Sequence, residues 1–279
     1  MYGIARADEG PAVELATVGR RAVISVNENA VYLCDRKLFT GTADELLDRI
    51  GRLRDRSRPS LVVTANVDQV LDLERRPETV AAYAAADLVL VDGMPLLHLA
   101  RMLGAHSAHR HTGADLLPQA VAESGRRGWR IVILGGDPQV ADDAVHALRS
   151  QHPSADVRAV AFPHISDPND LSSLPVVGDL RALQPDVVFL CLGAPKQEAW
   201  YLAWQAVLPP AVYIGAGAAV DFAAGRFTRA PALAQRMGAE WVWRLCQEPR
   251  RLAGRYLGKG PRFVNVAFRS LRAASRGAA

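Results

Sequence analysis

Asp92 and Gly93 directly follow the apolar run Leu88-Val-Leu-Val91, so Asp92 is expected at a strand terminus, half-buried and facing a cleft. A carboxylate held there can strip the proton from an acceptor hydroxyl, and capping the next helix is its competing use. A second polar group follows the run 187–192: Gly193, Pro195, then Lys196, Gln197 and Glu198 in a row before Trp200, Tyr201 and Trp204. Such a buried strand emptying into a polar turn is where open α/β sheets bind ligands, because strand ends and helix amino termini present unpaired N–H groups there. Comparable points recur at Thr64 and Asn66, at Gly135 and Gly136, and at Gly215 and Gly217. Small residues let a ligand approach the backbone, and polar ones fix it.

Other chemistries find little support. Gly215-Ala-Gly217 follows a strand and half-matches a dinucleotide fingerprint, but the third glycine is missing and no acid stands at a second strand end. The chain has no Walker lysine motif, no GxSxG elbow and no HExxH. His106, His109 and His111 cluster before Gly113, and the solvated-loop reading is favoured over a metal site. No Asp-x-Asp pair occurs, so a transferase acting on a nucleotide-sugar must neutralise its leaving diphosphate with arginines or backbone dipoles.

The elements that must position these groups alternate. Apolar runs predict strands over 61–64, 88–91, 130–134, 157–160, 187–192 and 211–214. Helical spacing covers 42–54, behind a Thr42/Glu45 capping box, and then 67–73, 77–86, 95–103, 114–125, 140–150 and 176–183. Alternation of this kind implies a Rossmann-like parallel sheet flanked by helices, with every strand-end loop along one edge. Runs around Asn27-Glu-Asn29 predict a small β-hairpin near the amino terminus, and residues 1–19 read as a loose leader. The domain reading is 1–225 for the sheet and 226–279 for a basic, aromatic helical appendage with helices over 233–246 and 252–257.

At 279 residues and 49% hydrophobic content the chain can fill a core. Its longest apolar runs fall short of the ~20 residues a spanning helix needs, and the start lacks the pattern of a signal peptide. Cys34, Cys191 and Cys246 are isolated, which fits a reducing cytoplasm. From Arg226 onward, eleven Arg and one Lys face two Glu, a balance of +10, leaving −6 of the total +4 for the rest. Trp241, Trp243, Tyr256 and Phe263 interleave with Arg244, Arg250, Arg251, Arg255 and Arg262, the pattern of an interfacial helix pair at an anionic membrane, with a solvated helical tail packed on the domain as the competing reading. Three readings stay open at this point: a transferase, a phosphate-gripping nucleotide- or nucleic-acid-binding module, and an NAD-dependent oxidoreductase.

Taken together the blocks resemble the WecG/TagA/CpsF glycosyltransferases. They are Thr64-Ala-Asn66, Val91-Asp-Gly93, Arg110 with Gly113-Ala-Asp115, Leu134-Gly-Gly136, Leu192-Gly-Ala-Pro-Lys-Gln-Glu198, Gly215-Ala-Gly217, Arg229-Ala-Pro231, Glu240-Trp-Val-Trp-Arg244 and Glu248-Pro-Arg-Arg251. The resemblance implies a metal-independent, inverting transferase without a cofactor, moving an N-acetylmannosamine-type or other hexose from a UDP-sugar to a polyprenyl-diphosphate-linked acceptor in cell-surface polysaccharide synthesis. It assigns Asp92 as catalytic base and Thr64 as its polar assistant. Asn66, Arg110, Gly136 and Gln197 fall on its substrate or nucleotide positions, while Arg244 and Arg251 match arginines delivered by a membrane-docking appendage. Gly135, Gly193, Gly215 and Gly217 complete the nucleotide-binding set expected here. The implied location is the inner face of the cytoplasmic membrane, without nucleic acid. An exposed sheet edge leaves self-association open.

Overall fold

The computed structural model describes residues 23–27, 30–228, 230, 231, 234, 240–247 and 249–277, with backbone alone at 240, 241, 244, 247, 249–257 and 277. The hairpin is β1 (Ile24–Asn27) paired antiparallel with β2 (Ala30–Leu33), Asn27 opposite Ala30, and its turn residues lie outside the described set. A third strand, β3 (Arg36–Lys37), extends it. The sequence hides this strand because the turn before it needs φ > 0 at Cys34 (49°) and Asp35 (60°), a demand usually signalled by Asn-Gly.

After α1 (Ala43–Arg54) come β4 (Ser60–Ala65), α2 (Val67–Leu73), α3 (Pro77–Ala85), β5 (Leu88–Val91), α4 (Met94–Met102) and α5 (Gly113–Arg127). Then follow β6 (Arg130–Leu134), α6 (Pro138–Gln151), β7 (Asp156–Val160), α7 (Leu174–Leu183), β8 (Val187–Leu190), α8 (Lys196–Trp204), β9 (Val212–Gly215) and α9 (Ala219–Ala223). The expected alternation is what forms. The Thr42/Glu45 capping box is present, Thr42 N–H donating to Glu45 Oε2 at 2.7 Å.

Among the described residues β4 to β9 form one parallel sheet in the order β5-β4-β9-β8-β6-β7. Its strands are apolar on both sides, as a sheet covered on both faces requires. Leu61, Val63, Val89, Val188 and Tyr213 pack beneath α2, α3, α7 and α8. On the opposite face Val62, Leu90, Ile133, Phe189 and Ile214 pack beneath α1, α5, α6 and α9. Strand order departs from chain order, so neighbouring loops at the carboxyl edge come from distant sequence.

The amino edge is tied by two acids. Asp186 accepts from the Arg130 N–H at 2.7 Å and from Arg54 Nε at 2.8 Å, and Asp87 accepts from the Leu61 N–H at 3.1 Å with Arg56 and Arg58 beside it. Burial works against their charge, yet these hydrogen bonds outweigh it and hold both carboxyls below the usual range. A carboxyl depressed in the folded state stabilises above its unfolded value, and that contribution is lost as pH falls through the folded one. Asp186→Asn is therefore expected to lower Tm at pH 7, by roughly 2–4 °C per kcal/mol lost. The gap to wild type should close as pH drops below about 4, read by calorimetry across pH.

The appendage comprises α10 (Glu240–Gln247) and α11 (Pro249–Gly277). The second helix is much longer than its spacing suggests, running through Gly258, Gly260 and Pro261. Packing overrides propensity there, because Phe263 and Val266 are buried in the same core as the sheet. Phe263, expected at an interface, is thus a core residue, 7% exposed. Lys259 pairs with Asp68 of α2, and Arg269 with Glu74 just after that helix. No helix among the described residues is long and apolar enough to cross a membrane.

Candidate active site

Asp92 leaves β5 half-buried, its N–H donating to Ala65 O at 2.7 Å, so Asp92 and Asn66 are neighbours across the β4/β5 pair. Gly93 takes φ 99°, a conformation glycine adopts without strain, and turns the chain into α4 directly behind the acid. Gly93, which has no side chain, occupies the cap position of α4. Along β4, Thr64 follows Val62 on the α1/α5 side. Thr64 is buried and its hydroxyl donates to Gly215 O at 2.8 Å, binding β4 to β9 at the site's edge.

Arg110 arrives by a route that β-strand spacing alone does not disclose. The segment before α5 runs along the outer edge of β5, His111 N–H donating to Val91 O at 2.8 Å, which brings Arg110 to the strand end that bears Asp92. Arg110 Nη2 lies 3.7 Å from Asp115 Oδ2, and Thr112 caps α5 while donating to the same carboxylate at 2.7 Å. A hollow of about 160 Å³ lined by His109, Arg110, His111, Asp115 and Gln119 opens here. His111 is buried against Gly41 O, and burial lowers its proton affinity. Among the described residues no group of three His, Cys, Asp or Glu could hold a metal. A larger hollow, about 640 Å³, lies by Asp87 and Leu88 at the amino end of β5. It holds none of the candidate residues, and the strand-end rule favours the opposite edge for a ligand.

Gln197 and Glu198 are not the exposed loop side chains their polarity suggests. The turn is short, α8 begins at Lys196, and both residues are buried, 2% exposed each. Gln197 Nε2 donates to Glu198 Oε1 at 2.9 Å, and Gln197 Oε1 accepts from the Gly217 N–H at 3.2 Å. Across the sheet, Gln69 Nε2 donates to the same Glu198 Oε1 at 3.0 Å, and Gln69 Oε1 accepts from the Asn66 N–H at 3.1 Å. Asn66 Oδ1 is occupied by the α2 backbone, accepting from Asp68 and Gln69 N–H groups, which leaves its amide NH2 for other partners. Sequence reasoning missed Gln69, and it placed Glu198 in the polar turn without giving it a role of its own. Asn66-x-x-Gln69 was the available signal for the first, as a capping-box spacing.

The glycines divide into two sets. A Cβ on Gly135 would meet Leu192 Cδ2 at 2.4 Å, on Gly136 Val220 at 2.9 Å, and on Gly215 the Gln197 amide at 2.5 Å. Those three make room for the protein's own packing, which also accounts for the half-formed dinucleotide fingerprint. Gly193 (φ 76°) and Gly217 (φ 53°) instead face open space, the arrangement a ligand can approach. Two strand spacings, about 10 Å, separate β5 from β9. Arg244 and Arg251 lie on α10 and α11, but their side chains lie outside the described residues.

A curated relative, "N-acetylglucosaminyldiphosphoundecaprenol N-acetyl-beta-D-mannosaminyltransferase" of Bacillus spizizenii (strain ATCC 23059 / NRRL B-14472 / W23), is 25% identical over 222 residues, 80% of this chain and 84% of its own length. The family description "Glycosyl transferase WecG/TagA/CpsF family" matches residues 31–277. That span runs from the second strand of the hairpin to the end of α11, taking in the whole sheet and the appendage, and the chain belongs to this family of glycosyl transferases.

Proposed function

We propose that the chain transfers an N-acetylmannosamine-type or related hexosyl group from a UDP-sugar to a sugar carried on a polyprenyl diphosphate, with inversion and without a metal, in cell-surface polysaccharide synthesis. The relative's name supplies the acceptor class and the β product. The observation that carries the reading is the convergence on one sheet edge of Asp92, Asn66 and Arg110 with the open turns at Gly193 and Gly217.

In the reaction the acceptor hydroxyl attacks the anomeric carbon from the face opposite the diphosphate. Its proton passes to an Asp92 carboxylate oxygen, the new C–O bond forms, and the old C–O bond breaks with its electron pair leaving on UDP. Thr64 assists by fixing the end of β4, the strand beside the acid's own, to β9, its hydroxyl donating to Gly215 O. Charge growing on the diphosphate is offset by Arg110, by Arg244 and Arg251, and by the amino termini of α4, α6 and α8, about half a positive charge each.

The outer face of α11 supports a peripheral seat on an anionic membrane, the cytoplasmic leaflet in this reading. Val264 and Phe268 are 66% and 54% exposed, and Arg262, Arg272 and Arg276 flank them. Arg272 stacks on Phe268 at 4.6 Å.

The test is turnover of a panel of UDP-sugars with a GlcNAc-diphosphoryl-lipid acceptor, with and without EDTA, the product's anomeric configuration read by NMR. A β-linked product from an α-linked donor, undiminished by chelation, is expected. Retention of configuration, loss of activity in EDTA, or no turnover with any UDP-sugar would overturn the proposal.

A further inference from the structure

The hydrogen bonds around Glu198 have a single sense. Asn66 N–H donates to Gln69 Oε1 and Gln69 Nε2 to Glu198 Oε1; from the other side Gly217 N–H donates to Gln197 Oε1 and Gln197 Nε2 to the same oxygen. One acceptor atom thus ends two relays that begin on backbone N–H groups of two different strand-end turns. A glutamine amide can present either its oxygen or its NH2 at a given place. What orients both is that the atom between their NH2 groups can only accept.

We propose that Glu198 is a positioning residue of the transferase site, holding the Asn66 turn and the Gly217 turn in mutual register through Gln69 and Gln197. The inference rests on the reading of this edge as the sugar-transfer site. Asn66 adjoins Asp92 and the Gly93 turn behind it, a Cβ on Gly93 lying 3.9 Å from Asn66 Cβ. Gly217 is one of the two turns left open to a ligand, and its N–H is shared with Leu190 O at 3.2 Å, so the side-chain relay complements a backbone bond. The relay therefore links the β4 end, beside the strand end that carries the base, to the open Gly217 turn.

Glu198 is enclosed, and among the described residues no cation pairs with it. It is 2% exposed, burial pushes its carboxyl up, and Oε2 has no hydrogen-bond partner among the described residues. An acid buried this way is costly unless its acceptor function is needed. Ionised, or protonated on Oε2, the carboxyl still offers Oε1 as acceptor to both amides. A glutamine at this position keeps that oxygen, whereas a leucine leaves two buried NH2 groups without an acceptor and frees both glutamines to turn over.

The experiment compares wild type, Glu198→Gln, Glu198→Leu and Gln69→Leu in the full chain, by steady-state transfer and by residue-resolved amide exchange. Glu198→Gln is expected to stay within about threefold of wild type in kcat/KM and to protect the Asn66 and Gly217 amides normally. Glu198→Leu should lower kcat/KM about 10²-fold, the scale of a small misplacement of reacting groups, and raise exchange at both amides. Gln69→Leu cuts one relay only, so exchange should rise at Asn66 and not at Gly217, with kcat falling and donor KM unchanged. Unchanged exchange in Glu198→Leu, or Glu198→Gln as damaged as Glu198→Leu, overturns the inference. If the leucine variant does not fold, unchanged Asn66 exchange in Gln69→Leu overturns it equally. Absence of transfer by the wild type would sink the proposed function alone, since the exchange arms read the relay without substrate.

Discussion

Asp92→Asn is expected to lower kcat by about 10²–10⁴, the range for loss of a positioned general base, with Tm and UDP affinity close to wild type. The reason is geometric as much as chemical. Asparagine keeps the size of the side chain and can sit on the same Gly93 turn, so the strand end, the α4 start and the Ala65 pairing remain. What goes is a basic oxygen able to take the hydroxyl proton as the C–O bond forms. The remaining rate comes from binding and from the charges around the diphosphate, which do not depend on the acid. The measurement is kcat with a saturating UDP-sugar, beside UDP titration by calorimetry. Near wild-type turnover would remove Asp92 from the role of base, and an equal loss of UDP affinity would make it a binding group instead.

Replacing Arg244 or Arg251 with alanine is expected to lower kcat by about 10²–10³ each, as for other groups that meet charge developing in a transition state. The leaving diphosphate gains charge as the glycosidic bond breaks, and in this proposal no cation other than side chains and helix ends meets it. A guanidinium can bridge two diphosphate oxygens in one plane, whereas an ammonium offers a point charge, so lysine should restore only part of the rate. The two arginines act on one group, so the double variant should fall short of the product of the single effects. The assay is single-turnover rate against UDP affinity, and a loss confined to ground-state binding would contradict the role. Full activity in both alanine variants would show that the appendage supplies no charge to the reaction.

The appendage also shows where helix propensity ends and packing takes over. Gly258, Gly260 and Pro261 stop a helix by propensity alone, yet α11 passes through them because Phe263 and Val266 bury against the sheet's own core. The glycines make the same point in reverse. Gly135 and Gly217 look alike in sequence as residues after a strand. In the fold one yields to Leu192 and the other faces open space, a difference set by neighbours 57 residues away or by none.

The amino-acid order by itself determined the parallel α/β class, the helix starts with chemical caps, and the placing of Asp92 at a strand end. Each follows from contacts within a few residues: periodic burial, capping, and a glycine just after an acid. Only tertiary structure decided which strand ends meet, that Arg110 reaches the β5 terminus along its edge, that Thr64 is engaged by Gly215, and that Gln69 donates to Glu198, 129 residues away. Those depend on the sheet order β5-β4-β9-β8-β6-β7, which crossover connections and burial on both faces select and which no local pattern encodes.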